Sequence, residues 1–245
     1  MKIREFLERY IFIRKCAGCS ELIGYDERRD AFCPACRIKW EMAKARPCSR
    51  CGSAAVECEC MPKLLSKSGM QTLKKLILYS TSRQNEPENK MLYFLKHNKN
   101  KRVSAFAAEQ LSHRVHELMR ETGMKKEDLI LTYIPRTKRA LAEYGFDQSK
   151  MVLDELSRIC KVEAVELFER RKHGKEQKKL HAEARAKNAA KGIILVEDAE
   201  KLMGERAVII FDDIVSSGAS MARATELLRK AQVRNIFGIS IAFSD

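Results

Sequence analysis

Long apolar runs are missing from this chain of 245 residues. Runs such as residues 193–196 and 208–211 fall far short of the about 20 residues a membrane-spanning helix needs, so no span is expected. In the opening MKIREFLERYIFIRK, charges interrupt every apolar stretch, so no secretory signal is visible and a cytoplasmic protein is the expectation. Aromatic residues amount to only 7%, which argues against an extensive base-stacking platform. A Gly-x-Gly-x-x-Gly fingerprint is absent, as is a phosphate loop with its closing lysine, so neither dinucleotide nor P-loop chemistry is indicated. The chain carries no internal repeat outside its cysteine pairs and no low-complexity linker.

Acid is also in deficit: 33 Asp and Glu stand against 47 Lys and Arg, a formal charge of +14. Such an excess suits an acidic partner, whether nucleic acid or a phosphorylated metabolite, and equally suits plain solubility. It is concentrated in two places. Residues 170–191 hold nine bases and two glutamates, and residues 96–102 hold four bases and no acid. A block of this kind is more often a solvated face than a phosphate contact.

Cysteine, by contrast, is abundant in one region. Eight of the nine lie between Cys16 and Cys60, as CAGC (Cys16, Cys19), CPAC (Cys33, Cys36), CSRC (Cys48, Cys51) and CEC (Cys58, Cys60). In a reducing compartment, repeated Cys-x-x-Cys indicates metal rather than disulfides, and four thiolates suit one tetrahedral zinc. The expected pairing is Cys16, Cys19, Cys33 and Cys36 on one ion, with Cys48, Cys51, Cys58 and Cys60 on another; an interleaved pairing fits the spacing too. Four protein ligands leave no vacancy for water, so both zincs are structural. Eight thiolates with two zincs lower the formal charge by 4, to about +10, still basic. Cys160, in the apolar run LSRIC, reads as a core residue.

The cysteine pattern stops at Pro62, which divides the chain into a zinc-ribbon region, residues 1–62, and a larger domain, residues 63–245. In the latter, apolar segments at 73–79 and 91–97 flank a polar connector with a loop around Pro87. Helical periodicity marks residues 104–119, 149–160 and 221–231. Strands are expected at 128–135, 207–211 and 236–243. Alternating strands and helices predict an α/β fold: a mainly parallel sheet flanked by helices.

In VIIFDDIVSSGAS, residues 208–220, a buried strand meets two adjacent carboxylates and then a turn of small residues. Ligands of parallel sheets gather beyond the carboxyl ends of the strands. Ser216, Ser217, Gly218, Ala219 and Ser220 let the backbone approach an anion, with Ser220 also placed to cap the next helix. Asp212 and Asp213 suit ribose hydroxyls or a divalent metal. Together they describe a ribose phosphate.

This stretch resembles the thirteen-residue phosphoribosyl pyrophosphate motif of type I phosphoribosyltransferases, with serines in place of threonines. The double zinc ribbon, FLKHNKN, a proline-ended strand leading to YGFDQS, and QKKLHAEARAKNAAKG follow the order of the ComF/GntX family, which the chain resembles over nearly its whole length. The resemblance implies a phosphoribosyltransferase-like fold, magnesium carried with phosphoribosyl pyrophosphate, and a part in handling incoming single-stranded DNA beside competence helicase and DNA-processing proteins. It places Asp212 and Asp213 at the ribose and Ser216–Ser220 at the 5′-phosphate. It assigns Arg136, Arg139, Gln148 and Lys96 to the pyrophosphate region and Gln177, Arg185 and Asn188 to a mobile covering segment. Tyr144 and Asp147 depart from the family's Arg and Asn, and Asp147 also suits a helix cap. Whether transfer to an acceptor occurs is left open, since no residue marks an acceptor pocket. A non-catalytic nucleic-acid-binding protein that retains the phosphate cradle, or an active transferase of nucleotide metabolism, are the alternatives.

Overall fold

In the computed structural model, the described residues are 3–171, 190 and 192–244. Two two-stranded ribbons and one central sheet organise them. Strands β1 (Arg14–Lys15) and β2 (Leu22–Ile23) form an antiparallel pair inside the cysteine-rich region. The central sheet comprises β3 (Thr72–Tyr79), β4 (Leu129–Tyr133), β5 (Glu163–Ala164), β8 (Ala207–Val215) and β9 (Ile236–Ser244), in the order β3-β9-β8-β4-β5 and parallel throughout. Strands β6 (Phe168–Arg170) and β7 (Ile193–Leu195) pair antiparallel beside it. The expected α/β architecture is therefore present. Among the described residues no helix is long and apolar enough to cross a membrane.

Central strands of a parallel sheet are covered on both faces and so read as continuous apolar runs. Residues 207–211 and 236–243 meet that condition, every one of them buried. The helices that cover the sheet stop and start where the sequence supplies chemistry for it. Asn100 Oδ1 accepts from the amides of Arg102 and Val103 at 3.1 and 3.3 Å, opening the helix Lys101–Thr122. Asp147 Oδ1 accepts from Ser149 and Lys150 at 2.9 and 3.3 Å, opening the helix Gln148–Cys160. The capping role open to Asp147 is the one it takes. Cys160 is buried, as a core residue should be.

Two local expectations change. Pro87 is not in a loop but begins the helix Pro87–His97, where a missing amide costs nothing. Strand β8 does not end at Phe211. It continues through Asp212 and Asp213 to Val215, because β9 keeps pairing with it (Asp212 with Ser240, Val215 with Phe243) after β4 has stopped at Tyr133 opposite Phe211.

Residues of the cysteine-rich region belong to both hydrophobic clusters of the described chain, together with residues that follow Pro62. Trp40, fully buried on the helix Pro34–Ala45, stacks edge-on against Phe106 with ring centres 5.4 Å apart and lies 5.8 Å from Phe32. Its indole donates to Gln110 Oε1 at 3.2 Å. Residues around the second cysteine group, including Ala55 and Cys58, join the other core with Leu65, Leu73 and Phe243. Trp40→Ala is expected to cost about 3–5 kcal/mol, chiefly for the cavity left by a large ring, since Gln110 Oε1 keeps a second donor in Lys44 Nζ at 3.1 Å. Urea denaturation followed by circular dichroism measures it, the chain having no other tryptophan to report. A loss under about 1 kcal/mol would mean that the ribbon is not part of that core.

Strand β3 carries two buried lysines. Lys74 Nζ meets Glu121 at 2.8 Å and Glu117 at 3.2 Å, and lies 4.0 Å from Glu59. Lys75, with no exposed surface, donates to the Cys60 carbonyl at 2.5 Å and stands 4.8 Å from the centre of the Phe243 ring. Neighbouring side chains of one strand thus serve opposite faces.

Candidate functional site

Cys16 and Cys19 lie on the turn joining β1 to β2, Cys33 is the residue before the helix Pro34–Ala45, and Cys36 sits in its first turn. Their four sulfurs lie within 4.8 Å of one another, as do those of Cys48, Cys51, Cys58 and Cys60. This is the sequential pairing, and the interleaved one is excluded. The Cys19 and Cys33 sulfurs are 3.7 Å apart. A tetrahedron with zinc–sulfur bonds of about 2.3 Å has edges of about 3.8 Å, so the cage fits zinc. Gly18 is obligatory here: a Cβ would come 2.8 Å from Pro87 Cβ and 2.9 Å from Cys36 Sγ.

In each cage one thiol is held towards its charged form while others are pushed away from it. Burial would raise Cys16, but amides of Cys33, Cys19 and Gly18 outweigh it and bring the thiol down to about 7. The amides of Gly18 and Cys33 each approach its sulfur at 3.3 Å. Cys36 is pushed up by burial and by the crowding of Cys16, Cys19 and Cys33. In the second cage, the Ser53 amide and hydroxyl lower exposed Cys51 to about 6, whereas burial and the neighbouring thiols raise Cys60 to about 12. Lys75 places its ammonium against this cage. All eight positions are protein ligands, which suits zinc as a structural rather than a catalytic ion.

The second centre lies at the carboxyl end of β8. Alternation along the strand sends Asp212 and Asp213 to opposite faces. Asp213 faces the helix Gln148–Cys160: its Oδ2 accepts from Gln148 Nε2 at 2.8 Å, and its Oδ1 from the Ile214 amide at 2.8 Å. Burial, then the charge of Asp213, raise Asp212 well above the usual carboxylate range, with Arg170 acting in the other direction. Arg170 is held in place by donating from Nε to the Pro135 carbonyl at 2.6 Å. Sequence reasoning counted Arg170 only as the start of a charged run; its place at the end of β6 gave no sign of the contact.

After Val215 the chain turns through Ser216 to Gly218, and the helix Ala219–Lys230 begins. Gly218 itself is the cap residue, at φ 74°, and no side chain caps the helix. Ser220 therefore lies within the first turn rather than capping it. Ser217 Oγ accepts from the Ala219 amide at 3.4 Å, Ser216 is exposed, and Ala219 is buried. The first amides of a helix lack partners within it and carry its positive end; here the Ala219 amide meets Ser217 Oγ.

The remaining expected residues separate. Arg136 donates to the carbonyls of Phe146 (3.2 Å) and Lys96, while its guanidinium lies over the rings of Tyr144 (4.7 Å) and Phe146 (5.1 Å). Its amide donates to Asp147 Oδ2 at 2.8 Å. Arg136 thus knits the strand-end loop together. The Arg139 and Lys96 side chains are exposed. Gln177, Arg185 and Asn188 lie outside the described residues. Also missed from sequence was an aromatic group: Tyr93 stacks on His97 with centres 3.9 Å apart, and His97 meets Tyr144 edge-on at 5.1 Å. Compared with protein-family models and with curated proteins, the chain gives no match.

Proposed function

We propose that the chain binds a phosphorylated ribose, phosphoribosyl pyrophosphate with magnesium, at the end of β8, on a scaffold stapled by two structural zincs. The observation that carries this reading is the direct run from Asp212 and Asp213 into the uncapped start of the helix Ala219–Lys230. Carboxylates take hydroxyl hydrogens and repel phosphate; the amides and serine hydroxyls of a helix start do the reverse. A ligand bearing vicinal hydroxyls beside a phosphate satisfies both. Arg170 supplies a cation next to Asp212, on the face away from Gln148. Magnesium supplies neutralisation of the pyrophosphate when it is bound. If transfer to an acceptor follows, the protein's part is charge stabilisation of the departing pyrophosphate and of the electron-poor sugar. The resemblance to the ComF/GntX family adds a cellular setting, the handling of incoming single-stranded DNA in the cytoplasm.

Calorimetric titration with phosphoribosyl pyrophosphate and magnesium tests the ligand. Binding is expected for the parent chain, and Asp212→Asn should weaken it about tenfold or more, because a bound hydroxyl left without its acceptor costs about 1–3 kcal/mol. No heat from the parent, or an unchanged affinity in Asp212→Asn, would sink the assignment.

A further inference from the structure

The helix Pro87–His97 buries Met91, Leu92 and Leu95 on one side and shows a different chemistry on the other. Lys90, Tyr93 and Lys96 are exposed there, and Lys99 and Lys101 follow, also exposed. Tyr93 is 67% exposed, unusual for a large ring. It is nevertheless ordered by its neighbours. His97 stacks on it, with Nδ1 2.7 Å from the Tyr93 carbonyl, and Tyr144 meets His97 edge-on at 5.1 Å. Arg136 in turn holds Tyr144 from below and ties the loop to the Lys96 carbonyl. The helix's one acid, Glu88, is buried and paired with Arg46 at 3.0 Å, so it does not offset the lysines.

We propose that Tyr93, His97 and Tyr144 form a ledge on which an unpaired base of single-stranded nucleic acid stacks, with Lys90, Lys96 and Lys99 along its backbone. The chemistry selects this occupant. An exposed ring invites a flat apolar partner, while the surrounding ammonium groups invite a polyanion, and a single strand offers both at once. A duplex hides its bases and would use the lysines alone. The ledge leads back to the strand-end centre: Arg136 contacts Asp147, and Gln148, the next residue, holds Asp213. The inference gives a location to the DNA-handling part of the proposed function and is independent of its sugar-phosphate part.

The test is fluorescence anisotropy of a labelled oligothymidylate, and of the corresponding duplex, at fixed salt. Tyr93→Ala is expected to weaken single-strand binding about tenfold, while Tyr93→Phe keeps it. Duplex binding should be the same in all three proteins. Equal single-strand affinity in Tyr93→Ala would overturn the ledge and leave DNA handling standing. An equal loss for the duplex would also overturn it, by showing charge without stacking. If the parent binds no single strand at all, the ledge and the DNA-handling role fail together, and calorimetry with the sugar phosphate is unaffected. Because Tyr93 is exposed, its replacement leaves the core intact, which circular dichroism verifies.

Discussion

Stripping both zincs with a strong chelator should collapse the cooperative melt of the whole chain, not only of its first sixty or so residues. Apparent binding free energies for structural zinc in small fingers run to about 10–16 kcal/mol at neutral pH, comparable with the total stability of about 5–15 kcal/mol of an ordinary domain. Here the first cage is continuous with the main core: Cys36 and Trp40 share one buried cluster with Phe106, Leu111 and Phe211. Freed of metal, it uncovers part of that core. Thermal denaturation, with metal analysis of the same sample, reads the outcome; about two zincs per chain are expected from the two cages. A metal-free protein that melts as before would contradict the structural role, and iron in place of zinc would contradict its identity. The pH dependence has a definite sign. Zinc binds thiolate, so a ligand that is a thiol in the empty cage must release a proton. Burial and the neighbouring thiols hold Cys19 at about 11 and Cys60 at about 12, so both carry protons at neutral pH that zinc displaces. Affinity therefore rises with pH, and acid releases the metal.

Lys75→Met should empty the second cage selectively. Zinc with four thiolates carries a charge of about −2, and a buried excess of that size needs a counter-charge nearby. Lys75 provides it: the ammonium is fully buried and donates to the Cys60 carbonyl. Methionine keeps the length and removes the charge. Loss of such an outer partner typically costs about 10–100-fold in metal affinity. Chelator competition measures it, with the first cage as internal standard because Lys75 does not touch it. Lys75→Arg should not rescue, since a guanidinium does not fit a space that leaves lysine no exposed surface. A second cage that holds zinc as tightly in Lys75→Met as in the parent would show that the charge is balanced elsewhere.

What could be read from the sequence was local. Cysteine spacing marked all eight ligands because Cys-x-x-Cys turns are local, while the choice between sequential and interleaved pairing needed the fold. Periodicity located the helices Lys101–Thr122, Gln148–Cys160 and Ala219–Lys230 to within a few residues, and the apolar runs placed β8 and β9. What could not be read depended on partners far along the chain. In LKKLILY nothing marks the two lysines as buried, yet Lys75 has no exposed surface and meets the carbonyl of Cys60, fifteen residues earlier. Strand β8 runs past Phe211 only because β9 is longer than β4. Arg136 resembles a free cation until Tyr144 and Phe146 close around it. Tyr93 and Tyr144 are fifty-one positions apart, and no pattern joins them.

Gly218 has one further consequence. A Cβ there would come 3.0 Å from Pro62 Cγ and 3.5 Å from Leu65 Cβ, so the bend of the anion turn rests directly on the segment leaving Cys60. On its other side, Val215 pairs with Phe243, the ring beneath Lys75. The turn and the second cage are thus two sides of one wall. Metal loss at that cage would loosen the floor under the serines while the first zinc stays in place, so, on the ribose-phosphate reading proposed above, a half-loaded molecule would keep its tryptophan core and bind the sugar phosphate less tightly.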